Sequence, residues 1–291
     1  MKLQNVFKEV VKLKIISCKE YVEIQKELLK EKVSTFDKKP KLCVVQIGDN
    51  QASNTYVRNK KRDCEALNID FEHVHIKDYE NMSQDDIILT LDTLNADFDI
   101  NGIIIQLPIP DKYNVEELQK HINPEKDVDG FRKDSCFKPC TPKGIIDWLK
   151  YNKFDFNGKT AVVIGRSNIV GKPLVNMLIE EGATVTCCNS STKSLSRYMF
   201  NTDLVVSAIG KPKYFNAFDF NGVGIVVDVG INRDENGKLC GDVDSEGFAA
   251  RNPNTYLTPV PGSVGLCTRI AMIQNTVEAY ELQKERVIKN R

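Results

Sequence analysis

Tyr56 and Lys60 stand four residues apart in a stretch with helical character, 53–67, so their side chains share one face. A phenol beside an amine suits proton transfer, provided that burial or neighbouring positive charge lowers the basicity of the lysine. Arg58, Lys61 and Arg62 supply such charge. Alone, the pair fits a solvated basic helix face better. Two further groups change the balance. Gln106 closes an apolar run, 102–107, followed by Pro108-Ile109-Pro110, which puts an amide at the carboxyl edge of a sheet, where ligands of α/β proteins bind. Lys126-Asp127-Val128-Asp129-Gly130-Phe131 then carries an acid, Asp129, to the boundary between the two halves of the chain.

A second chemistry is written in the other half. Gly165-Arg166-Ser167-Asn168-Ile169-Val170-Gly171-Lys172-Pro173 follows an apolar strand and opens a helix. A dinucleotide pyrophosphate sits at such a place, against free amides and the positive end of the helix dipole. Gly165 allows a tight turn and Gly171 a close approach of helix and sheet. Serine occupies the second glycine position of the usual fingerprint, so a plain strand-to-helix turn also fits. The next strand runs into Asn189-Ser190-Ser191-Thr192-Lys193, without the acid that grips a ribose 2′-hydroxyl in NAD enzymes. Hydroxyls, amides, Lys193 and Arg166 are phosphate partners, which favours NADP over NAD.

The elements that must position these groups follow a βαβ rhythm. Strands are expected at 10–16, 41–47, 71–76 and 102–107. Helices are expected at 17–33, opened by a capping box of Ser17 and Glu20, at 53–67, capped by Ser53, and from Ser83 and Asp86 with Ile87, Ile88, Leu91 and Leu94 on one face. Residues 123–142, rich in charges, prolines and cysteines, read as a linker. Beyond a helix at 144–151 the rhythm restarts, with strands at 160–164, 184–188, 204–208 and 224–229, a helix at 173–181 and a final amphipathic helix at 268–285. The expected fold class is α/β, with two α/β domains. One spans 1–138 and is completed by 268–291; the other, of Rossmann type, spans 139–267.

Composition sets limits on partners. The 291 residues hold 40 basic and 40 acidic side chains, a balance that argues against a nucleic-acid coat or a charge-held membrane protein. No apolar run approaches the roughly 20 residues needed to span a bilayer. Residues 1–14 lack the apolar core of a signal peptide, which with the cysteines predicts a cytoplasmic protein. The cysteines number nine, an odd count without a C-x-x-C pair, and read as free thiols in a reducing compartment. His73 and His75 would share a strand face, but no third ligand lies nearby, so no metal is expected.

Taken together, these residues resemble the methylenetetrahydrofolate dehydrogenase/cyclohydrolase family in its bifunctional bacterial form, over about 42–280. The resemblance is carried by Tyr56-x-x-x-Lys60, by Gly102-Ile103-x-x-Gln106-Leu107-Pro108-x-Pro110, and by Pro124-x-Lys126-Asp127-Val128-Asp129-Gly130-Phe131. Pro139-Cys140-Thr141-Pro142, Asp228-Val229-Gly230-Ile231-Asn232, Gly241-Asp242-Val243 and Pro259-Val260-Pro261-Gly262 complete it. It implies a folate lobe and an NADP lobe with a cleft between them. The activities would be NADP-dependent oxidation of 5,10-methylenetetrahydrofolate and hydrolysis of the methenyl product to 10-formyltetrahydrofolate. By the same resemblance Lys60 is the general acid/base, Tyr56 stacks on the folate, Gln106 tunes the lysine and Asp129 hydrogen-bonds the pterin. Leu107, Pro261 and Gly262 line the folate side. Thr141, Gly165, Arg166, Ser167, Val170, Gly171, Ser190, Ser191, Ala208, Gly210, Val229, Gly230 and Ile231 meet NADP, no metal takes part, and the chain is a homodimer.

The sequence departs from the family in three places. Only seven residues separate Phe131 from Pro139, Ser263 and Leu266-Cys267 replace a glycine and Pro-Met, and Asn189 stands where many members have histidine. A serine at a position needing positive φ would be strained. These changes keep open a cyclohydrolase without dehydrogenase activity, or a paralogue that binds without turnover.

Overall fold

The computed structural model describes residues 16–289, which form two compact units. The expected strand at 10–16 lies outside the described residues except for Ile16, which donates to the Leu257 carbonyl without forming a strand.

One unit comprises 23–140 and 269–289. Its sheet is parallel, β1 (Lys41–Ile47) lying between β2 (Asp70–Ile76) and β3 (Gly102–Gln106), with Val44 level with His73 on one side and Ile104 on the other. All five residues of β3 are buried, as its unbroken apolar run predicts. β1 and β2 are joined through α2 (Gln51–Ala66), and α3 (Gln84–Ala96) leads into β3; α1 (Lys19–Ser34) precedes them. Ile87, Leu91 and Leu94 of α3 enter one core with Cys43, Val45, Ile103 and Ile105, while Ile88 is only partly buried against it. The expected Ser83–Asp86 capping box is present. The cap of α2 is different. Asn50 accepts from the amides of Ala52 and Ser53, so the helix starts earlier than Ser53 suggested, and Ser53 is a buried first-turn residue. Asn50 belongs to the Gly48-Asp49-Asn50 stretch, and an asparagine there serves as turn and cap at once.

The segment 123–142 is not a linker. Asp127 forms a parallel bridge with Ile103, whose amide donates to the Lys126 carbonyl at 2.7 Å, and Val128 is fully buried. A Cβ on Gly102 would lie 2.8 Å from Val128, so glycine at the start of β3 is what admits this segment to the sheet. α4 (Val115–Lys120) sits between β3 and this segment.

The other unit comprises 16–22 and 141–268. Five parallel strands lie in the order β10-β7-β6-β4-β5: β4 (Thr160–Ile164), β5 (Thr184–Cys188), β6 (Leu204–Ser207), β7 (Ile225–Asp228) and β10 (Tyr256–Leu257). The strand order reverses at β4, between β5 and β6, and ligand crevices in such sheets open at the carboxyl end of that point. The helices are α5 (Cys140–Tyr151), α6 (Gly171–Glu180) and the short α7 (Ser196–Met199) and α8 (Phe248–Arg251); β8 (Asn232–Arg233) and β9 (Leu239–Cys240) form a small hairpin. The last helix, α9 (Val264–Lys289), is longer than the 268–285 expected and starts in this unit. There a Cβ on Gly144 of α5 would stand 2.6 Å from the Cys267 carbonyl, so the two helices meet backbone to backbone.

Candidate active site

α2 and the end of β3 are tied together before any ligand is considered. The Ser53 hydroxyl donates to the Leu107 carbonyl at 3.3 Å, and Gln106 Nε2 donates to the same oxygen at 2.7 Å. Gln106 is buried, and its Oε1 has no hydrogen-bond partner among the described residues. A buried amide oxygen left without a donor costs free energy unless something supplies one, so Gln106 presents a ready acceptor at the sheet edge. The Leu107–Pro108 peptide is cis.

Tyr56 and Lys60 both lie half-buried on α2. Burial pushes the Tyr56 phenol up, and the Arg269 guanidinium of α9 pulls it back. Arg269 also pairs with Asp63 at 2.7 Å, and Asp63 lies one helical turn beyond Lys60. Burial outweighs that guanidinium and raises the Asp63 carboxyl. Asp63 stands at i+3 from Lys60, a spacing the sequence shows, but its partner on α9 lies 206 residues away.

Asp129 joins this group through its electrostatics. Its carboxyl is raised by burial and drawn down first by the Lys60 ammonium, then by a hydrogen bond from the Cys140 thiol. Thus the structure brings Lys60 and Asp129 within each other's field. The residues around Asp129 explain the rest of its motif. Lys126 is buried and its Nζ donates to the carbonyls of Leu94, Asn95 and Asp97 at 3.3, 2.8 and 2.7 Å, closing the carboxyl end of α3. Buried Asp127 accepts from the Arg132 amide at 2.9 Å. Gly130, at φ 71°, passes so near Lys138 and Pro139 that a Cβ would lie 2.7 Å from their backbone. On α9, Asn275 Nδ2 donates to the carbonyls of Val128 and Lys138 at 2.9 and 3.0 Å. Of the motif's three charged side chains, Asp129 alone has no backbone partner among the described residues. An amide, a carboxyl, a phenol and an amine in one unit can bind a flat hydrogen-bonding ring and move a proton beside it.

The other unit carries the phosphate-type turn. Gly165 has φ 122°, and a Cβ there would lie 2.4 Å from the Ala208 carbonyl; one on Gly171 would lie 2.2 Å from the Gly165 carbonyl. Both glycines are required, the second for closing the turn on itself and not for helix–sheet approach. Ser167 Oγ accepts from the amides of Val170 and Gly171 at 3.2 and 3.3 Å, which organises the turn where a middle glycine is lacking. At the end of β5, Asn189 Oδ1 accepts from the Ser191 amide and the Asn189 amide donates to Thr192 Oγ1, both at 2.9 Å. Asparagine there builds the loop, and the side chains of Ser190, Ser191, Lys193 and Arg166 are exposed around it.

Two buried acids hold the remaining loops. Asp242 accepts from Ser207 Oγ, the amides of Ile209 and Lys211 and Asn232 Nδ2, all at 2.9–3.0 Å. Asp228 accepts from the amides of Gly230, Asp242 and Val243 at 2.9–3.0 Å. These bonds fix Ala208, Gly210, Val229, Gly230 and exposed Ile231 in place. Among the described residues neither acid makes an ion pair, and burial, reinforced by Asp242, pushes the Asp228 carboxyl up to about 6 despite its backbone donors. Glycine cradles and free polar groups at the carboxyl ends of β4, β5, β6 and β7 fit a dinucleotide. Thr141 lies at the start of α5, its hydroxyl 3.0 Å from that of Thr268, which itself donates to Val264.

Val260–Pro261 is a cis peptide, and Gly262 has φ 111°. Ser263 is not among the positive-φ residues, so the feared strain does not arise: the demanding position kept its glycine. Ser263 is instead buried, its Oγ 2.8 Å from the Cys18 thiol. All nine cysteines are free thiols. Among the described residues there is no metal-type cluster, and no helix is long and apolar enough to cross a membrane.

Comparison with known proteins gives this geometry a family. A model of the tetrahydrofolate dehydrogenase/cyclohydrolase catalytic domain matches residues 16–129, and one of the NAD(P)-binding domain of the same family matches 139–284. The chain is 42% identical to the bifunctional protein FolD of Agathobacter rectalis over 88% of its own length and 95% of the relative's. It is 39% identical to that of Bacillus subtilis, covering 91% and 96%. Among solved structures, the FolD dehydrogenase/cyclohydrolase of Campylobacter jejuni superposes with a TM-score of 0.85 at 40% identity, covering 91% and 97%. The Trypanosoma brucei dehydrogenase-cyclohydrolase complexed with NADP and an inhibitor superposes with a TM-score of 0.83 at 27% identity, covering 92% and 97%. With both domain models in order along one chain, and relatives near 40% identity matching it over most of their length, this protein belongs to the tetrahydrofolate dehydrogenase/cyclohydrolase family.

Proposed function

We propose that the chain is a bifunctional folate enzyme that oxidises 5,10-methylenetetrahydrofolate to the 5,10-methenyl cation and hydrolyses that cation to 10-formyltetrahydrofolate. The observation that carries the reading is the group Tyr56, Lys60, Gln106 and Asp129 in one unit, with the dinucleotide-type turn 165–171 in the other. NADP, when bound, accepts the hydride of the first step. The chain's own residues bind and orient. Asp129, embedded but free of a backbone donor, holds the N–H edge of the pterin, and Tyr56 offers a ring face. In the second step water adds to the cation, and Lys60 takes a proton from the attacking water and returns one to the ring nitrogen as the C–N bond opens. The net release is one proton. Gln106 Oε1 accepts from Lys60 and fixes its amine, which would satisfy that buried oxygen.

The phosphate-binding groups select the cofactor. Arg166, Ser190, Ser191 and Lys193 take the 2′-phosphate of NADP, while Thr141, Ser167, Val170, Ala208, Gly210, Val229, Gly230 and Ile231 line its course. Leu107, Pro261 and Gly262 border the folate. The protein is taken to be cytoplasmic on its cysteines and N-terminal residues, and a homodimer on the resemblance alone; a light-scattering mass near the 32.9 kDa of one chain would remove the dimer.

The replacement Lys60→Met tests the assignment. Positioned acid/base groups contribute roughly 10²–10⁴-fold, so methenyl hydrolysis falls by that order while nucleotide binding and thermal unfolding stay as in the parent. Unchanged hydrolysis removes Lys60 from the role.

A further inference from the structure

The chain carries a second cluster of basic groups on the other side of the helix that bears Tyr56 and Lys60. A cavity of about 520 Å³ between α2 and β2 is lined by Asp49, Asn54, Val57, Arg58, Lys61, Phe71, His73, His75 and Lys77. At about 100° per residue, Asn54, Arg58 and Lys61 point more than a quarter turn away from Tyr56 and Lys60. The sequence had grouped Arg58, Lys60 and Lys61 together; the structure divides them between two faces.

The charge is one-sided. Three permanent cations and two histidines face a single acid, Asp49, which is held by Asn54 Nδ2 at 2.8 Å and lies 4.0 Å from His75 Nε2. Arg58 and Lys77 have no carboxylate partner among the described residues. Lys61 has Glu65 at 3.8 Å, with both side chains more than half exposed and so well screened. The histidines are pre-set. Gln46 Nε2 donates to the Gly48 carbonyl and to Asn54 Oδ1, so Gln46 Oε1 must accept from His73 Nε2 at 3.1 Å. His75 Nε2 donates to the Gly48 carbonyl at 2.9 Å. In each ring the free basic nitrogen is Nδ1, and the rings stack with centroids 5.0 Å apart. Burial, then the positive charge of His75, Lys61 and Lys77, depresses His73.

We propose that this cavity is a second binding site, for a phosphate-bearing small molecule. Such a group concentrates about two negative charges on one tetrahedron, and a guanidinium fork meets its oxygens two at a time. Phe71 and Val57 leave an apolar end for the organic part. With both Nε2–H groups donating to oxygens, each ring keeps its Nδ1 lone pair free to meet the ligand. An anion relieves the repulsion that depresses His73, so binding favours its protonated ring and tightens as pH falls.

The probe is inorganic pyrophosphate added to the full chain, read by NMR at the ring C–H resonances. The chain has three histidines, so His121, which is not in the cavity lining, serves as internal control. Saturable shifts of His73 and His75 are expected, with His121 still and His73 titrating about half a unit or more higher. Affinity should rise from pH 8 to pH 6 and fall by about tenfold or more in R58Q/K61Q, two exposed positions outside the folate site. No saturable shift of His73 and His75, or equal affinity in R58Q/K61Q, overturns the site. Citrate binding as tightly as pyrophosphate overturns its assignment to phosphate.

Discussion

Asp129 shows how one side chain is singled out by its neighbours. In Lys126-Asp127-Val128-Asp129-Gly130, the lysine closes α3, the first acid folds its own loop, the valine fills the space above Gly102, and the glycine lets the chain pass Lys138. What remains is a carboxyl raised by burial and drawn down by Lys60. The sequence singles out such residues as candidates because their types are costly to bury without purpose. It did not show which of two acids two residues apart was structural, since that depends on where each loop amide points. At the nucleotide side, Arg166 is the exposed cation at the head of the turn. The replacement Arg166→Gln should raise the KM for NADP by about tenfold or more, the loss of one charge-assisted phosphate contact, and leave NAD almost unaffected. Equal losses for both nucleotides would place Arg166 at the shared pyrophosphate instead.

At the scale of elements, the strands were the legible part and the joints were not. Apolar runs such as 41–47 and 102–106 declare buried parallel strands, and Ser83 with Asp86 declares a helix start, because period and cap chemistry are local. Residues 123–142 look like a linker by composition, yet their prolines and charges serve a folded turn bonded to Ile103 and α9. Those contacts join residues far apart in sequence, and no local pattern reports them. The Asp228–Asp242 clamp is a joint of the same kind. Asp228 has its carboxyl raised to about 6 against an ordinary value near 3.9 in an unfolded chain. The folded state therefore holds that proton more tightly, and the stability the group contributes is full below about pH 4 and lost as pH rises through about 6. A carboxyl ¹³C titration of Asp228 should have its midpoint near 6; a midpoint at or below the unfolded value would mean that its three backbone donors outweigh burial.

The whole molecule is neutral, and the neutrality is an average over separate local fields. One unit concentrates cations on two faces of a single helix, and the other binds its buried acids with amides and one hydroxyl. The departures from the family pattern proved local too. Ser263 avoids positive φ, and Asn189 builds the loop that presents Ser190 and Ser191. Neither removes a group on which hydride transfer depends. The most direct test of the account is a coupled assay: 5,10-methylenetetrahydrofolate added to the chain with NADP, followed at the NADPH band and then for 10-formyltetrahydrofolate. NADPH should appear in step with substrate loss, with the formyl product following and a slower response to NAD. Hydrolysis of added methenyltetrahydrofolate with no NADPH formed from the methylene substrate would contradict the bifunctional account.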